Sequence, residues 1–213
     1  MNRPPRSAAF TLVEMITVIA IIVILTGLIL SINGLVQRKA ASSRAQGEIQ
    51  EMSAACEAYK SDNGGYPQDT SSNNVTNSLI PQTSTSPATG SYAAASLFLY
   101  EALTGDTQAT GQPAASQKNY APDLLKPSRL GTNASIGVGQ AQYVQYIMDP
   151  FGNSYGYSTA GLANEQQFRQ TLASPNGSTS ATRQLNQGFN PTFDLWSTGG
   201  ATGSNTSTWI KNW

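Results

Sequence analysis

Residues 10–30 read FTLVEMITVIAIIVILTGLIL, an apolar run in which Glu14 carries the only charge. A helix of about 20 apolar residues is long enough to cross the hydrocarbon core of a bilayer. We therefore predict a membrane-spanning helix over residues 10–36, before the basic pair Arg38 and Lys39. A carboxylate near the start of such a helix is costly in lipid, so Glu14 is expected to have a function and a charged partner.

The segment before the run, residues 1–9, contains two arginines and two prolines. An ordinary secretory signal has an apolar region of roughly 7–15 residues, and its cleavage site follows that region. Here the small-residue pair at the border between basic and apolar sequence is Ala8-Ala9, which precedes the run. Residues 1–9 are therefore predicted to be a leader peptide whose removal leaves the apolar helix at the new N-terminus. The leader arginines favour a cytoplasmic N-terminus, whereas the basic pair beyond the run opposes this orientation.

The helical pattern continues beyond the run, over residues 37–62. Apolar side chains recur there every three or four residues, which is typical of one face of an amphipathic helix. That face consists of Ile49, Met52, Cys56 and Tyr59, and the opposite face carries Arg44, Glu48, Glu51, Glu57 and Lys60. An Asn-Gly-Gly sequence follows directly and stops the helix. We therefore predict one continuous helix from about Thr11 to Asp62, with Cys56 buried as a small apolar side chain.

Residues 63–213 are predicted to form a globular α+β head with long loops. A short helix is predicted over residues 93–104, between loop-like segments at 68–91 and 106–118 that are rich in small and polar residues. The segment at 159–190 is predicted to be a further long loop.

Three strands are predicted in the second half of the head. Residues 142–148 and 154–158 flank the turn sequence Asp-Pro-Phe-Gly-Asn and are expected to pair as an antiparallel hairpin, and residues 193–197 form the third strand. The predicted fold is thus a long N-terminal helix packed on a small C-terminal domain with a short helix and a roughly three-stranded antiparallel sheet.

The composition excludes several classes of function. Lys and Arg together number 12, as do Asp and Glu, so there is no net charge to attract nucleic acid. The absence of His removes the commonest general base and zinc ligand. A single Cys excludes an intrachain disulfide, and the chain contains no nucleotide-binding or nucleophile motif. We therefore expect neither an enzyme nor a nucleic-acid-binding protein.

The sequence Ala9-Phe10-Thr11-Leu12-Val13-Glu14 before an apolar helix resembles the class III signal of type IV prepilins and pseudopilins. The resemblance implies that prepilin peptidase cuts between Ala9 and Phe10, and that the new N-terminus at Phe10 is then N-methylated. It also implies that Glu14 pairs with the α-amino group of an adjacent subunit during assembly. The family usually has Gly where this chain has Ala9. The alternative for Glu14 is a position at the helix N-terminus that is favoured by the helix dipole and solvated by headgroups.

Four further elements resemble the major pseudopilin of type II secretion systems, which has the pilin fold. They are NGGYP at residues 63–67, DPFGNSYGY at 149–157, DLWSTG at 194–199 and IKNW at 210–213. The motif positions carried over are Asp149, Pro150, Gly152, Asn153, Asp194, Trp196, Ser197 and Gly199. The resemblance implies a structural role for these residues and a pilin fold for the head.

That family binds calcium in the loop after the last strand. Calcium prefers six to eight oxygen ligands, with carboxylates prominent, and this chain has no Asp or Glu after Asp194. We therefore expect no cofactor and a calcium site that is lost or replaced; the remaining candidate ligands in the loop are Ser197 and Asn205.

The combined resemblance implies a structural subunit of a type II secretion pseudopilus that helps to move folded proteins across the outer membrane. It would be a single-pass protein of the bacterial inner membrane with its head in the periplasm, contacting lipid before it joins a homo-oligomeric filament. Its other partners would be prepilin peptidase, minor pseudopilins and the inner-membrane assembly platform. The alternatives are a type IV pilin for adhesion, motility or DNA uptake, and a signal-anchored extracytoplasmic binding domain.

Overall fold

The computed structural model describes residues 11–84, 90–133, 142–173, 187–201 and 206–213, without the side chains of residues 28–33. Contacts divide the chain between Ala40 and Ala41 into an N-terminal unit and a head unit. Helix α1, Leu12–Asn63, begins in the first and ends in the second. Among the residues described, no helix combines the length and the apolar character needed to cross a membrane.

Helix α1 confirms the predicted continuous helix, with bounds that differ from the prediction by one residue at each end. In the head unit its apolar face is buried, as predicted: Ile49, Met52 and Cys56 lie in the core, and Tyr59 packs against it partly buried. Burial raises the pKa of the Cys56 thiol strongly, so this side chain behaves as a small apolar group.

The predicted short helix is present as α3, Gly90–Thr104, and begins three residues earlier than expected. A one-turn helix α2, Val75–Ser78, lies inside the segment predicted as loop. Its Thr76 is buried, and the Thr76 hydroxyl accepts hydrogen bonds from the backbone N–H of Asp69 at 2.9 Å and from the Thr159 hydroxyl at 2.8 Å. This single turn is too short to produce a helical repeat in the sequence.

In the part of the chain that the structure describes, five short strands form two antiparallel sheets. β1, Leu130–Thr132, pairs with β2, Val144–Ile147. The second sheet has the order β3–β4–β5, and its strands are Gly156–Ser158, Asp194–Ser197 and Ile210–Lys211. The predicted third strand is confirmed as β4, whereas β1 and β5 were not predicted because they are only three and two residues long.

The predicted hairpin between residues 142–148 and 154–158 is wrong in its extent. These segments share a single bridge, Met148 with Ser154, and one further hydrogen bond from the Tyr155 N–H to the Ile147 carbonyl at 3.0 Å. Beyond the bridge, the first segment pairs with β1 and the second with β4. Each segment therefore forms most of its strand pairing with another part of the chain. Local sequence does not indicate which part that is.

The predicted loop at 159–190 is also corrected, because it contains helix α4, Ala160–Ala173. Its sequence, AGLANEQQFRQTLA, consists mainly of good helix formers. Ala160 is its one buried residue, so the helix lacks the apolar face on which helix prediction relies. A 2.8 Å ion pair between Arg169 and Glu165, four residues apart, supports it on the exposed side.

The core of the head unit is formed by α1, α3 and the strands. The larger cluster joins the α1 face to Leu99, Tyr100, Leu103, Ile147, Tyr155, Tyr157 and Leu195. A second cluster consists of Leu79, Tyr92, Ala95, Trp196 and Trp209, with Trp213 against it. The observed fold is therefore mixed α+β, as predicted, with a long N-terminal helix and antiparallel strands.

Candidate functional site

The first turn of α1 contains a reciprocal cap between Thr11 and Glu14. Glu14 Oε2 accepts hydrogen bonds from the Thr11 backbone N–H at 2.9 Å and from the Thr11 hydroxyl at 2.8 Å. The Glu14 backbone N–H donates to Thr11 Oγ1 at 3.3 Å. This is a capping box, whose signature is Thr or Ser three residues before Glu. The signature was present in the sequence, but our interpretation of Glu14 considered only remote charges and the helix dipole.

The two residues at the predicted cleavage point, Ala9 and Phe10, lie outside the described residues. The structure does describe the helix that follows them, α1. Its large apolar side chains from Leu12 to Leu25 are all between 53% and 75% exposed. Exposed apolar surface on this scale marks a site that is covered by lipid or by another protein.

In the head unit, Asp149 joins the two longest motif elements. Its Oδ1 accepts the backbone N–H groups of Phe151 at 3.0 Å and Asn153 at 2.8 Å, which closes the turn after β2. Its Oδ2 accepts the hydroxyl of Ser197, on β4, at 2.5 Å. Burial raises the pKa of the Asp149 carboxyl, although these hydrogen bonds act in the opposite direction. The structure thus brings together two predicted positions that are 48 residues apart.

The other turn positions serve the same local structure. Pro150 occupies the first corner of the turn, where its restricted φ is favourable. Gly152 has φ of 86°, a left-handed conformation that favours glycine, and Asn153 returns its carbonyl to the Asp149 N–H at 2.8 Å. These residues therefore form one closed turn whose anchor is the Asp149 carboxylate.

Asp194 has an equivalent role before β4. Its carboxylate accepts the backbone N–H groups of Phe189 at 2.8 Å and Asn190 at 2.9 Å. It is 1% exposed, and burial raises its pKa. The structure therefore uses Asp194 to hold the chain that leads into the central strand of the three-stranded sheet.

Trp196 is the centre of an aromatic cluster. Its ring stacks on Trp209 with 5.7 Å between centroids and 9° between planes, and it meets Tyr92 and Trp213 edge-on. The Trp196 Nε1–H donates to the Tyr92 hydroxyl at 3.2 Å, and burial raises the pKa of Tyr92 to about 12. The cluster fixes the C-terminal residues against β4.

Gly199 closes the loop after β4. Its φ is 64°, and a Cβ at this position would lie 2.3 Å from the Thr208 carbonyl oxygen. The Ser197 hydroxyl, which donates to Asp149, also accepts the Gly199 backbone N–H at 3.1 Å. Both predicted residues therefore serve the contact between this loop and the neighbouring turn.

These contacts bear on calcium. The Ser197 hydroxyl already donates a hydrogen bond to Asp149 and accepts one from the Gly199 backbone N–H. The other candidate ligand, Asn205, lies outside the described residues. Across the described ranges, no group of three or more His, Cys, Asp or Glu side chains is arranged to hold a metal ion. The described part of this loop does not fit the carboxylate-rich set that calcium prefers.

A partly buried ionic network around Arg129 was missed by the sequence analysis. Arg129 Nη1 lies 2.7 Å from Glu51 Oε2, and Arg129 Nε lies 3.9 Å from Glu48 Oε1. The Tyr155 hydroxyl donates to Glu48 Oε2 at 2.7 Å. Glu48 and Glu51 were placed on the charged face of α1, opposite the apolar one, and the turn that carries Arg129 partly covers this region of that face. No local signal in the sequence pairs residues 78 positions apart.

Comparison with protein families identifies a known motif in the N-terminal part of the chain. Residues 4–30 match the prokaryotic N-terminal methylation motif. This motif is the prepilin signal of type IV pilin-like proteins, and its family consists of structural subunits. The prepilin signal implies processing by prepilin peptidase, assembly into a filament and a membrane-anchored N-terminus. It includes the predicted positions Ala9, Phe10 and Glu14.

The prepilin signal is common to pilins and pseudopilins, so it does not distinguish between them. Neither the curated proteins nor the solved structures contain a match to this chain. The similarity to type IV pilin-like proteins therefore rests on residues 4–30. A choice between pilin and pseudopilin has to be argued from the head unit.

Proposed function

We propose that this chain is a structural, non-catalytic subunit of a type II secretion pseudopilus. The observation that carries the proposal is the apolar stretch at residues 12–27 of α1, whose side chains are exposed on every face in the single chain. Lipid covers such a helix before assembly, and copies of the same helix cover it afterwards. A subunit outside the lipid would expose this helix to water, at a cost of about 25 cal/mol for each Å² of apolar surface, so burial among copies of the helix holds the filament together.

In this proposal, proteolytic processing creates the positively charged group that pairs with Glu14. Cleavage between Ala9 and Phe10 frees an α-amino group, which is then methylated. Glu14 Oε2 is held by Thr11, while among the described residues Oε1 accepts no hydrogen bond. Oε1 is therefore free for the amine of an adjacent subunit, and the resulting pair neutralises two charges inside the apolar bundle.

The head favours a pseudopilin over a type IV pilin. The motif elements at residues 149–157 and 194–199 meet through the contact between Asp149 and Ser197. Many type IV pilins close their C-terminal region with a disulfide, and the one Cys of this chain is buried on α1. In this role the protein is anchored in the bacterial inner membrane with its head in the periplasm. Its partners are prepilin peptidase, the assembly platform and minor pseudopilins.

Intact-mass measurement of the membrane-extracted protein tests the processing step. The expected mass is that of a chain beginning at methylated Phe10. A protein that retains residues 1–9 in cells containing active prepilin peptidase would instead support the signal-anchored binding domain.

Electron microscopy of cells that express the chain with its secretion partners tests the filament. We expect filaments of this subunit confined to the periplasm at native expression. Filaments that extend from the cell surface at native expression would support the type IV pilin, and a processed protein that stays dispersed in the membrane would contradict both filament functions.

A further inference from the structure

A cavity in the head unit is lined by an acid, Glu101, that has no partner among the described residues. It has a volume of about 330 Å³ and lies between the end of α1, helix α3 and the loop that follows α3. Its walls include Tyr59, Phe98, Glu101, Lys118 and Tyr120. Among the described residues, Glu101 has no ion pair and its carboxylate has no hydrogen bond. Its burial raises the pKa of the carboxyl, with a further contribution from the negative charge of Asp106.

The other acids of the head unit are already compensated. The carboxylates of Asp69, Asp106, Asp149 and Asp194 accept backbone N–H groups in turns. The carboxylates of Glu48, Glu51, Glu57, Asp62, Asp123 and Glu165 have basic partners. Glu101 is therefore the described acid of this unit whose charge is left without compensation.

The cavity suits a planar cation. Tyr59 and Tyr120 meet edge-on with 5.5 Å between ring centroids, and they provide aromatic surface beside the carboxylate. A guanidinium group stacks on such rings and binds a carboxylate through two parallel hydrogen bonds. The amine already present, on Lys118, is neutralised by Asp62 and lies over the Tyr120 ring at 5.1 Å, so it leaves Glu101 unpaired.

The same chain carries the complementary charge. Among the described residues, four cations have no acidic partner: Arg38, Lys39, Arg44 and Lys211. Lys211 lies over the rings of Phe189 and Trp213. Arg38 and Lys39 belong to the N-terminal unit, next to the apolar run. Arg44 is exposed on α1 and is, among the described residues of the head unit, the guanidinium without an acidic partner.

We propose that Arg44 of one copy of this chain inserts into the Glu101 cavity of a neighbouring copy. This contact deepens the proposed function and rests on it, because it requires that copies assemble side by side. Tyr59 follows Arg44 by 15 residues on α1, which corresponds to roughly 22 Å along a helix axis. The contact therefore joins parallel copies that are displaced by about that distance along α1.

Charge reversal tests the contact. Glu101→Arg and Arg44→Glu are each expected to reduce the yield of filaments by about tenfold or more, since either change places like charges together in a partly buried site. The double variant Glu101→Arg/Arg44→Glu restores the attraction and is expected to recover most of the yield. The matched control is Asp123→Arg/Lys126→Glu with its two single variants, because that pair is exposed within one chain; its yield is expected to stay that of the wild type.

A conservative variant and a cross-linking experiment distinguish loss of the contact from misfolding of the subunit. Glu101→Gln keeps the size of the side chain, and it is expected to lower the yield while the circular dichroism of the extracted subunit is unchanged. A short bis-maleimide linker is expected to join Glu101→Cys/Arg44→Cys subunits in filaments, and not Asp123→Cys/Arg44→Cys subunits.

Wild-type yield from Glu101→Gln and both reversed variants would overturn the contact and leave the proposed function intact. Failure of the double variant to recover, together with no excess cross-link over the control pair, would overturn it as well. A wild-type chain that forms no filaments with its partners would overturn the proposed function and the contact together.

Discussion

The hydroxyl of Tyr155 donates a 2.7 Å hydrogen bond to the carboxylate of Glu48, across 107 residues of sequence. Tyr155 is fully buried at the start of the segment that leads into β3, and Glu48 lies on α1. This bond, together with Arg129, ties the second half of α1 to the strands of the head unit.

Removal of the Tyr155 hydroxyl is expected to destabilise the head unit. Tyr155→Phe deletes a hydrogen bond to a charged group, which is worth about 1.5–3 kcal/mol. Denaturant unfolding of the detergent-solubilised chain, followed by circular dichroism, measures the loss. Tyr143→Phe is the matched control, because Tyr143 is 44% exposed and is expected to change stability by less than about 0.5 kcal/mol. Equal stability of Tyr155→Phe and the wild type would contradict the role of this bond.

Asp149 is expected to give the head unit a measurable pH dependence. Burial raises the pKa of its carboxyl above the ordinary value of 3.8, so the folded state holds the proton more tightly than the unfolded state. The stability from this group is therefore complete below pH 3.8 and is lost as the pH rises through the folded-state pKa. Above that pKa its contribution is constant.

The difference in unfolding free energy between the wild type and Asp149→Asn isolates this contribution from that of other acids. We expect the difference to move against the wild type as the pH rises from 3.8 and then to level off. Asp123→Asn serves as the control, since Asp123 is exposed in a surface ion pair. A difference that moved in the opposite direction would mean that the hydrogen bonds to Asp149 outweigh its burial.

Addition of one methyl group at Gly156 is expected to disrupt the aromatic cluster. A Cβ there would lie 2.2 Å from the Trp196 ring, which is fully buried and stacked on Trp209. Overpacking of this kind costs about 1–3 kcal/mol, and near-ultraviolet circular dichroism reports the movement of the rings. Gly65→Ala is the control, because no atom lies within 4 Å of its Cβ position. An unchanged spectrum for Gly156→Ala would show that the ring has room to shift.

The cap and the assembly roles of the first turn are expected to be separable. Thr11→Ala removes the hydroxyl that donates to Glu14 Oε2 and accepts the Glu14 backbone N–H, while the backbone N–H of residue 11 still donates to Oε2. This change costs about 1 kcal/mol of helix stability, with filaments still formed. Glu14→Ala removes the carboxylate itself and is expected to abolish filaments. Filament yield in cells that contain the assembly partners distinguishes the two variants. Normal assembly of Glu14→Ala would remove the pairing with a neighbouring amine from the mechanism.

Local sequence was sufficient where a structure depends on neighbours along the chain. The bounds of α1, its buried face and the end of α3 follow from helical periodicity and from stop signals within a few residues. The strand at 194–197 was found because a polar stretch precedes it. Helix α4 was missed because it buries almost nothing, so its sequence has no periodic apolar face.

The motif positions were identified from the sequence, but their arrangement was not. Asp149 and Ser197 were both singled out, yet nothing local indicated that one accepts a hydrogen bond from the other. Glu48 and Glu51 were placed on the charged face of α1, but their pairing with Arg129 was not foreseen, because an amphipathic pattern describes a helix and not the turn that packs against it.

The amino-acid order alone decided that the chain contains the N-terminal methylation motif and a long helix, since the motif residues, the apolar run and the capping residues are adjacent along the chain and act through short-range forces. Folding in three dimensions decided which strands pair, which carboxylates are buried and which acid is left without a partner. Those outcomes depend on burial and on contacts between residues 48 to 107 positions apart, and such contacts form only when the segments have packed together.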